Sequence, residues 1–507
     1  MEHRNHRTFC RRISETLVKD ILLTTINAKW IHPSLALRLL KANLGALEDR
    51  CEIIEFALRQ PLDEKVQSLL AATLLAAAQS AAAQSAETPS EARPRILGIS
   101  VSIWNHTATL ELLRELEKSW AGQRPVIVLG GPEVSHLPQE AEIFRYADYV
   151  ICGEGEDAFR TLCESGETKR QTAAQFIQAE NVDVNKIKSG YHLYTDEDLT
   201  KKLIYVEASR GCPFNCEFCL SAVKSGEENK MREFPLEPFL AQMDELVRRG
   251  VKTFKFLDRT FNINIERACK IMDFFLDKIK QKNKIVVHFE MVPSLFPPAL
   301  REILSRFPPD SLRLEVGIQT LNPEVAARIN RAGSQELDAI RFLREKTNAI
   351  IHADLIAGLP GEDIASFGKG FDRLLACLSL SKAPSTETDN MEIQIGILKL
   401  LPGTPISRHN DSFGMRYNSL PPYEIMETSA ISAADLFRIK NFARFWEIIV
   451  NRKLTYIDVN QFTFEKFLAL SDSLYARFGK NWGIDKSELI CAVNNAIQEQ
   501  KAPMKKG

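Results

Sequence analysis

Arg210-Gly211-Cys212-Pro213-Phe214-Asn215-Cys216-Glu217-Phe218-Cys219 is the stretch from which the rest of the chain can be read. It follows a strand-like apolar run, Leu203 to Ala208, which puts the three cysteines in a loop at a strand's end. Three thiolates at C-x3-C-x2-C spacing can hold three corners of an iron–sulfur cubane, a cluster that normally takes four cysteines. The next cysteine in sequence is Cys269, so no fourth thiolate is near and one iron is left open for another ligand. A structural zinc site is the plainer alternative. Zinc wants four closed ligands, usually from two paired clusters, and this motif has no partner. Disulfide redox chemistry leaves the third cysteine without a role.

The composition is that of an ordinary soluble protein. The chain has 507 residues, 45% apolar and 26% charged, with a formal net charge of −1. That length accommodates about three domains. The near-neutral balance carries no nucleic-acid signal. No apolar run reaches the roughly 18–20 residues of a membrane span; Leu69 to Ala86 is interrupted by Thr73, Gln79, Ser80, Gln84 and Ser85. Arg4, Arg7, Arg11, Arg12 and Lys19 precede no apolar core, so residues 1–19 are expected to be a disordered basic extension rather than a secretory signal. Ten cysteines in a chain this long do not form a disulfide framework, and a reducing cytoplasm suits both free thiols and an oxygen-sensitive cluster.

From residue 20 to 163 the chain alternates strand and helix. Strands are expected at Ile21–Thr25, Cys51–Phe56, Ile96–Val101, Val126–Leu129 and Tyr149–Cys152. Helices are expected at Ser34–Leu44, with Ser34 as N-cap and Gly45 just past the end, at Leu62–Gln84 and at Thr107–Ser119, with a connector over Thr88–Arg95. Short apolar strands separated by helices predict an α/β domain with a doubly wound, parallel, Rossmann-like sheet. Ligands of such sheets lie beyond the carboxyl ends of the strands, here the loops 27–34, 102–106, 130–136 and 153–157.

A polar connector, 164–202, leads to a second alternation over 203–405. Its strand-like runs are Leu203–Ala208, Thr253–Leu257, Val286–Glu290, Leu312–Ile318, Ile351–Ile356 and Glu392–Leu401. Intervening helices include Leu236–Arg249, Glu266–Lys280, Ala299–Ser305, Glu324–Ile329 and Glu336–Lys346. Residues 406–507 read as a small, mainly helical domain. Phe442, Phe445, Trp446 and Ile449 recur at helical spacing, the pattern of core packing. The basic end, Lys501 to Lys506, reads as a solvated tail.

The cysteine stretch closely resembles the signature of radical S-adenosylmethionine (SAM) enzymes. The resemblance implies that Cys212, Cys216 and Cys219 ligate a [4Fe–4S] cluster whose open iron is chelated by SAM, and that one electron then splits SAM to a 5′-deoxyadenosyl radical. Six strands fit that family's partial (β/α)6 barrel, whose reactive face is expected at the strands' carboxyl ends. Matching the family position by position, Phe218 is expected to meet the adenine through its backbone and Asp258 to accept from the SAM amino group. Glu290 would face ribose or substrate. Gly317 and Gln319 match the fourth-strand G-x-Q segment, and Gly358 and Gly361 the loop after the fifth strand. The family's common Gly-Gly-Glu is absent. Gly, Pro and Glu in such loops also serve ordinary turns.

The N-terminal third, placed before this motif, resembles the cobalamin-binding domain of a radical SAM subgroup, the branch with an uncharacterised C-terminal helical domain. Gly130-Gly131-Pro132-Glu133 and Gly153-Glu154-Gly155-Glu156-Asp157 carry that resemblance, which implies cobalamin near Gly130, Gly131, Gly153 and Gly155. The D-x-H-x-x-G motif that supplies a lower cobalt ligand is missing; His32 lies in the right loop but is followed by Pro33, and is expected to contact the helix start or a domain interface.

These readings lead to a cobalamin-dependent radical SAM enzyme that transfers a methyl group to, or rearranges or cyclises, an unidentified substrate, with flavodoxin or ferredoxin as a suitable electron donor. Two alternatives stay open: a radical SAM enzyme whose N-terminal domain recognises substrate or partner without cobalamin, and a non-enzymatic corrin or redox sensor. A tRNA methylthiotransferase would need further cluster cysteines in N-terminal loops and a C-terminal β-barrel, whereas Cys51 and Cys152 fall in predicted strands and the C-terminal segment is helical. No residue is singled out as catalytic.

Overall fold

The computed structural model describes residues 19–84, 96–120, 124–165, 169–223, 231–281, 284–331, 336–379, 391–455 and 457–501. The basic extension before Lys19, the 88–95 connector and the tail beyond Lys501 lie outside the described residues. The chain forms two compact units. One takes in residues up to 29, 34–182 and 187–193; the other takes in 30–33, 183–186 and 194 onward.

In the first unit, β1 (Ile21–Asn27) is buried along its length except at Asn27, as a strand covered on both faces must be. Its two threonines hydrogen-bond backbone carbonyls, Thr24 to Ile54 and Thr25 to Ser100. α1 (Leu35–Ala42) starts where the Ser34 hydroxyl accepts from the Leu37 amide at 3.3 Å. There follow β2 (Cys51–Ala57), α2 (Leu62–Gln84), β3 (Ile96–Ser100), α3 (His106–Ser119), β4 (Val126–Gly130), β5 (Tyr149–Cys152) and α4 (Gly155–Glu164). The sheet is wholly parallel, and its first five strands lie in the order β2-β1-β3-β4-β5, so its winding reverses beside β1. Leu22, Ile26 and Leu97 pack with Leu112 and Leu116 on one face; Ile21, Leu23 and Ile96 pack with Leu37 and Phe159 on the other. The polar stretch read as a connector supplies β6 (Gln175–Gln178), which extends the sheet beyond β5.

The second unit opens with α5 (Asp196–Lys201), closed by a capping box between Thr195 and Asp198. Six parallel strands follow: β7 (Ile204–Val206), β8 (Thr253–Phe256), β9 (Val286–Met291), β10 (Leu312–Gln319), β11 (Ile350–Ala357) and β12 (Met391–Ile397). They pair in strict sequence from β7 to β12, and the two end strands do not meet. Helices α6 (Leu236–Arg248), α7 (Ile265–Lys280), α8 (Pro298–Ser305), α9 (Pro323–Arg328), α10 (Glu336–Lys346) and α11 (Ile364–Ser379) fall between them.

Burial alternates along these strands. In β10, Leu312, Leu314, Val316 and Ile318 are fully buried while Arg313, Glu315, Gly317 and Gln319 are only partly so. A parallel sheet covered equally on both faces would be apolar throughout. Here one face carries the apolar core and the other a polar interior, and that interior positions the site.

The C-terminal segment is mainly helical: α12 (Ala433–Trp446), α13 (Phe464–Phe478) and α14 (Lys486–Lys501), preceded by a short hairpin of Arg416–Tyr417 with Ile425–Glu427. Phe442, Phe445, Trp446 and Ile449 are all buried. Phe371 of α11 meets Phe442 and Trp446 edge-on at 5.1 and 4.9 Å, and Phe467 of α13 closes the cluster. α12 and α13 therefore share one aromatic core with the barrel's last helix. Phe442→Ala should lower stability by about 3–5 kcal/mol, the usual cost of emptying a buried phenylalanine site. The check is the midpoint of thermal unfolding, with Phe442→Leu recovering most of the loss.

Candidate active site

The cysteine loop leaves β7 at Glu207 and is pinned at once by a two-residue antiparallel pairing, Ser209–Arg210 with Arg232–Glu233. Gly211 then turns at φ +88°, a conformation that side chains resist. Cys212 and Cys216 are buried and Cys219 is half-buried, and all three line one cleft. The Cys219 amide donates to the Cys216 carbonyl at 3.0 Å, which folds the last part of the loop back on itself. Burial pushes the Cys216 thiol up, and the Arg331 guanidinium, 3.7 Å from its sulfur, pulls the other way. The Cys212 sulfur lies 3.6 Å from the Thr260 hydroxyl.

The cleft encloses about 720 Å³, part of it open to solvent. Lining the same cleft are Glu290 of β9, Glu315 and Gln319 of β10 and Asp354 of β11, with Arg259 and Arg331 as the cations. Glu315 is the settled anion. Burial alone would raise it, but His288 and Lys255 outweigh burial and hold it down; their nitrogens lie 3.1 and 2.9 Å from it. Burial and then the Glu315 charge push Glu290 up. Burial, then Glu315 and Glu290, lift Asp354 to about 7. The cleft thus holds one firm negative charge and two carboxyls that would ionise readily if a cation arrived.

Local backbone geometry aims one of these groups. The pairing of β10 with β11 shifts register between Gly317 and Gln319, and Gln319 takes a left-handed φ of +69°. Such bulges re-aim side chains near sites. A Cβ at Gly317 would stand 2.5 Å from the Gln319 amide nitrogen and 3.3 Å from Arg331 Nη2, so the glycine keeps room for both. Arg331 also donates to the Gly317 carbonyl, while its Nε is buried without a hydrogen-bond partner among the described residues.

Of the residues expected from sequence, the cleft brings together Cys212, Cys216, Cys219, Phe218, Gly317, Gln319 and Glu290. Asp258 is elsewhere. It is almost wholly buried, its oxygens accept from the Ala208 amide at 2.9 Å and the Ser209 hydroxyl at 2.6 Å, and it braces the start of the cysteine loop from below. Gly358 and Gly361 are also off the cleft. At φ +89° and +77° they let Ile425 and Phe413 of the C-terminal segment approach within 2.6 and 2.8 Å of where a Cβ would be. Arg259, Glu315, Arg331 and Asp354 were not anticipated. The alternation in Leu312-Arg313-Leu314-Glu315-Val316-Gly317-Ile318-Gln319 was the available signal for the interior face.

In the first unit the expected glycines sit at the carboxyl ends of β4 and β5. A Cβ on Gly131, at φ +104°, would fall 2.5 Å from the Val101 carbonyl, and one on Gly153, at φ +99°, would fall 3.0 Å from that of Ala179. These glycines answer first to the protein's own close packing. On the same edge Trp104 is 53% exposed beside buried Asn105, which ties the loop to Ser102 and Ile26. His106 pairs with buried Glu133 at 2.9 Å. An exposed indole on a rigid loop suits a large flat ligand. In the second unit, His32 Nδ1 and the Tyr205 hydroxyl share a hydrogen bond at 2.8 Å.

Residues 206–374 match the family model of the radical SAM superfamily, and residues 21–163 match that of the B12 binding domain. The chain thus carries a radical SAM domain preceded by a B12-binding domain. The first domain implies SAM and a [4Fe–4S] cluster, and the second implies cobalamin. Among curated relatives, the uncharacterized methyltransferase PH0819 of Pyrococcus horikoshii is 31% identical over 167 residues, 29% of this chain and 36% of that protein. The ribosomal protein uS12 methylthiotransferase RimO of Prochlorococcus marinus is 26% identical over 196 residues, 35% of this chain and 43% of that protein. The matches therefore span less than half the length of these two relatives. Among solved structures, the cobalamin-dependent S-adenosylmethionine radical enzyme OxsB aligns at a TM-score of 0.59 and 15% identity, over 95% of this chain and 75% of that one. The radical SAM methyltransferase TsrM from Kitasatospora setae, with cobalamin and a [4Fe–4S] cluster bound, aligns at 0.53 and 16%, over 79% and 77%. Both show a shared fold. No helix among the described residues is long and apolar enough to cross a membrane.

The donor set fits the implied groups: three thiols, a guanidinium and several carboxyls line one cleft. Because the Asp354 carboxyl is lifted from its ordinary 3.8 to about 7, the folded chain keeps that proton where the unfolded chain has released it. Its stabilising contribution is whole below the unfolded value and is lost as pH rises through the window up to about 7. Asp354→Asn, neutral at every pH, should therefore raise the thermal midpoint of the apoprotein relative to wild type at pH 8 more than at pH 5. An equal difference at both would exclude the buried-carboxyl account.

Proposed function

We propose that this protein is a cobalamin-dependent radical SAM methyltransferase that acts on an unactivated carbon of its substrate. The observation that carries the reading is one cleft lined both by the C-x3-C-x2-C cysteines and by a charge pattern complementary to SAM, in a chain that also has a B12-binding domain. Support also comes from the methyltransferases among its relatives and structural neighbours.

When bound, the cluster would supply the electron that splits SAM, and cobalamin would carry the methyl group. The chain's own residues bind and orient. Cys212, Cys216 and Cys219 would hold three irons. The Arg331 guanidinium, already donating to Gly317, suits a carboxylate, and Glu290 and Asp354 suit an ammonium or ribose hydroxyls. Gln319 offers an amide at the bulge, and Phe218 a backbone edge beside the third cysteine. Glu315, held anionic by Lys255 and His288, would favour the positive sulfonium region. In the first unit, the Trp104 loop and the edge bounded by Gly130, Gly131, Gly153 and Gly155 would receive cobalamin. An electron donor such as flavodoxin or ferredoxin completes the reading, with the cytoplasm as its setting.

The methylthiotransferase relatives favour a second reading, sulfur insertion. Against it, Cys51, Cys152 and Cys163 are buried in the first unit's core rather than displayed on loops.

The test is anaerobic reconstitution with iron, sulfide and hydroxocobalamin, followed by SAM and a reductant. We expect about four irons and about one cobalt per chain. Both 5′-deoxyadenosine and S-adenosylhomocysteine should form, and Cys216→Ala should abolish the former. Iron without retained cobalt would overturn the cobalamin assignment, and a loaded protein that forms no 5′-deoxyadenosine would turn the reading toward a sensor.

A further inference from the structure

Between the second and third cysteines stands a side chain that the reaction does not use. Glu217 is 1% exposed, although it sits in a surface-reaching loop whose neighbours Pro213 and Asn215 are exposed. A buried carboxylate is tolerated only when its oxygens are matched by donors. Here the donors come from outside the loop. Asn330 Nδ2 donates to one oxygen at 2.9 Å, and Arg408 donates to the same oxygen. His409 Nε2 donates to the other at 2.8 Å. The backbone is held as well: the Glu217 amide donates to the Ile329 carbonyl at 3.1 Å, and the Ile406 amide donates to the Glu217 carbonyl at 3.0 Å.

Those donors lie on two short segments. Ile329 and Asn330 form the turn after α9. Residues 405–409 form a single helical turn at the head of the C-terminal segment, beyond the 206–374 stretch that matches the radical SAM model. The same turn is itself braced. The His409 ring packs edge-on to Phe413 at 5.8 Å, and Phe413 carries the Arg328 guanidinium over its face at 4.6 Å. Gly361 leaves no space for a Cβ beside Arg328 and Phe413, so the loop after β11 is built to seat this arm. The cysteine loop has little of its own to fix Cys216 and Cys219 beyond the turn between them. Its position is instead transferred, through one carboxylate, to the C-terminal arm.

We propose that Glu217 is a positioning residue for the iron–sulfur site, and that the 405–409 arm, through Arg408 and His409, sets the spacing of the Cys216 and Cys219 thiolates. This assigns the C-terminal segment a direct part in assembling the cluster. The inference rests on the cluster reading of the three cysteines.

The experiment compares the anaerobically reconstituted full-length chain with Glu217→Ala, Glu217→Gln, Arg408→Ala and the double variant Arg408→Ala/His409→Ala. Arg416→Ala, which removes an exposed pair with Glu427, serves as a control. Retained iron, circular dichroism and the electron paramagnetic resonance spectrum of the reduced cluster, with and without SAM, are read on each. Glu217→Ala and the double variant should keep native dichroism, lose retained iron severalfold, and replace the single cluster signal and its SAM-induced shift by a heterogeneous one. Glu217→Gln, which keeps an acceptor for Asn330, should recover most of the iron with altered g-values, and Arg408→Ala should fall between. Because Arg408 is largely exposed, its loss leaves the core intact and stays informative even if Glu217→Ala fails to fold. Wild-type iron content and an unchanged spectrum in Arg408→Ala and the double variant would overturn the inference while leaving the cluster reading standing. A wild-type chain that takes up no iron would overturn both.

Discussion

Everything around the cleft follows from the difficulty of keeping three sulfur anions in a partly dry place. A thiol removed from water holds its proton, and burial does push Cys216 in that direction. Ligation requires the opposite, so positive charge has to meet the sulfurs. Irons would supply most of it, and Arg331 supplies the part that belongs to the protein. The surrounding construction keeps this balance local. Gly211 turns the loop sharply off β7, Asp258 braces its first residues from beneath, and Gly317 leaves the space that the guanidinium needs. A larger residue at any of these glycines would disturb the charge balance through geometry, without touching a ligand.

The architecture was legible because its strands announce themselves. Eleven of the twelve strands in the two parallel sheets lie within a few residues of the limits expected from sequence, since each is a short apolar or alternating run bounded by turn residues. β6 was missed for a physical reason: Gln175-Phe176-Ile177-Gln178 is a polar sheet edge, and an edge strand needs little apolar surface. Alternation along Leu312 to Gln319 was equally visible, but it looked like any strand with one wet face. Only the closed-over geometry shows that the wet face is the interior of an open barrel.

The site was legible where chemistry demands spacing and illegible where it demands direction. A cluster would enforce cysteine spacing, so the three residues that line one cleft could be picked out directly from the chain. A carboxylate at a strand end has no such constraint. Asp258, just past β8, turns to the Ala208 amide and the Ser209 hydroxyl, whereas Asp354, within β11, lines the cleft. Gly358 and Gly361 misled in a related way. The sequence places them in the loop after the fifth strand; their left-handed backbone there makes room for Ile425 and Phe413.

The three carboxyls lining the cleft explain why the interior can be both acidic and stable. Were all three ionised, mutual repulsion in a poorly solvated space would oppose folding. Lys255 and His288 hold Glu315 ionised, while burial first, and then the Glu315 charge, raise Glu290 and Asp354. The wall therefore carries one settled negative charge beside two carboxyls that hold their protons more firmly than usual, rather than three full charges side by side. The same logic separates this wall from Glu217, whose charge is already matched by fixed donors and is therefore spent on position. Acidic side chains of one type thus divide between binding and bracing according to whether their partners are built into the chain or are still to come.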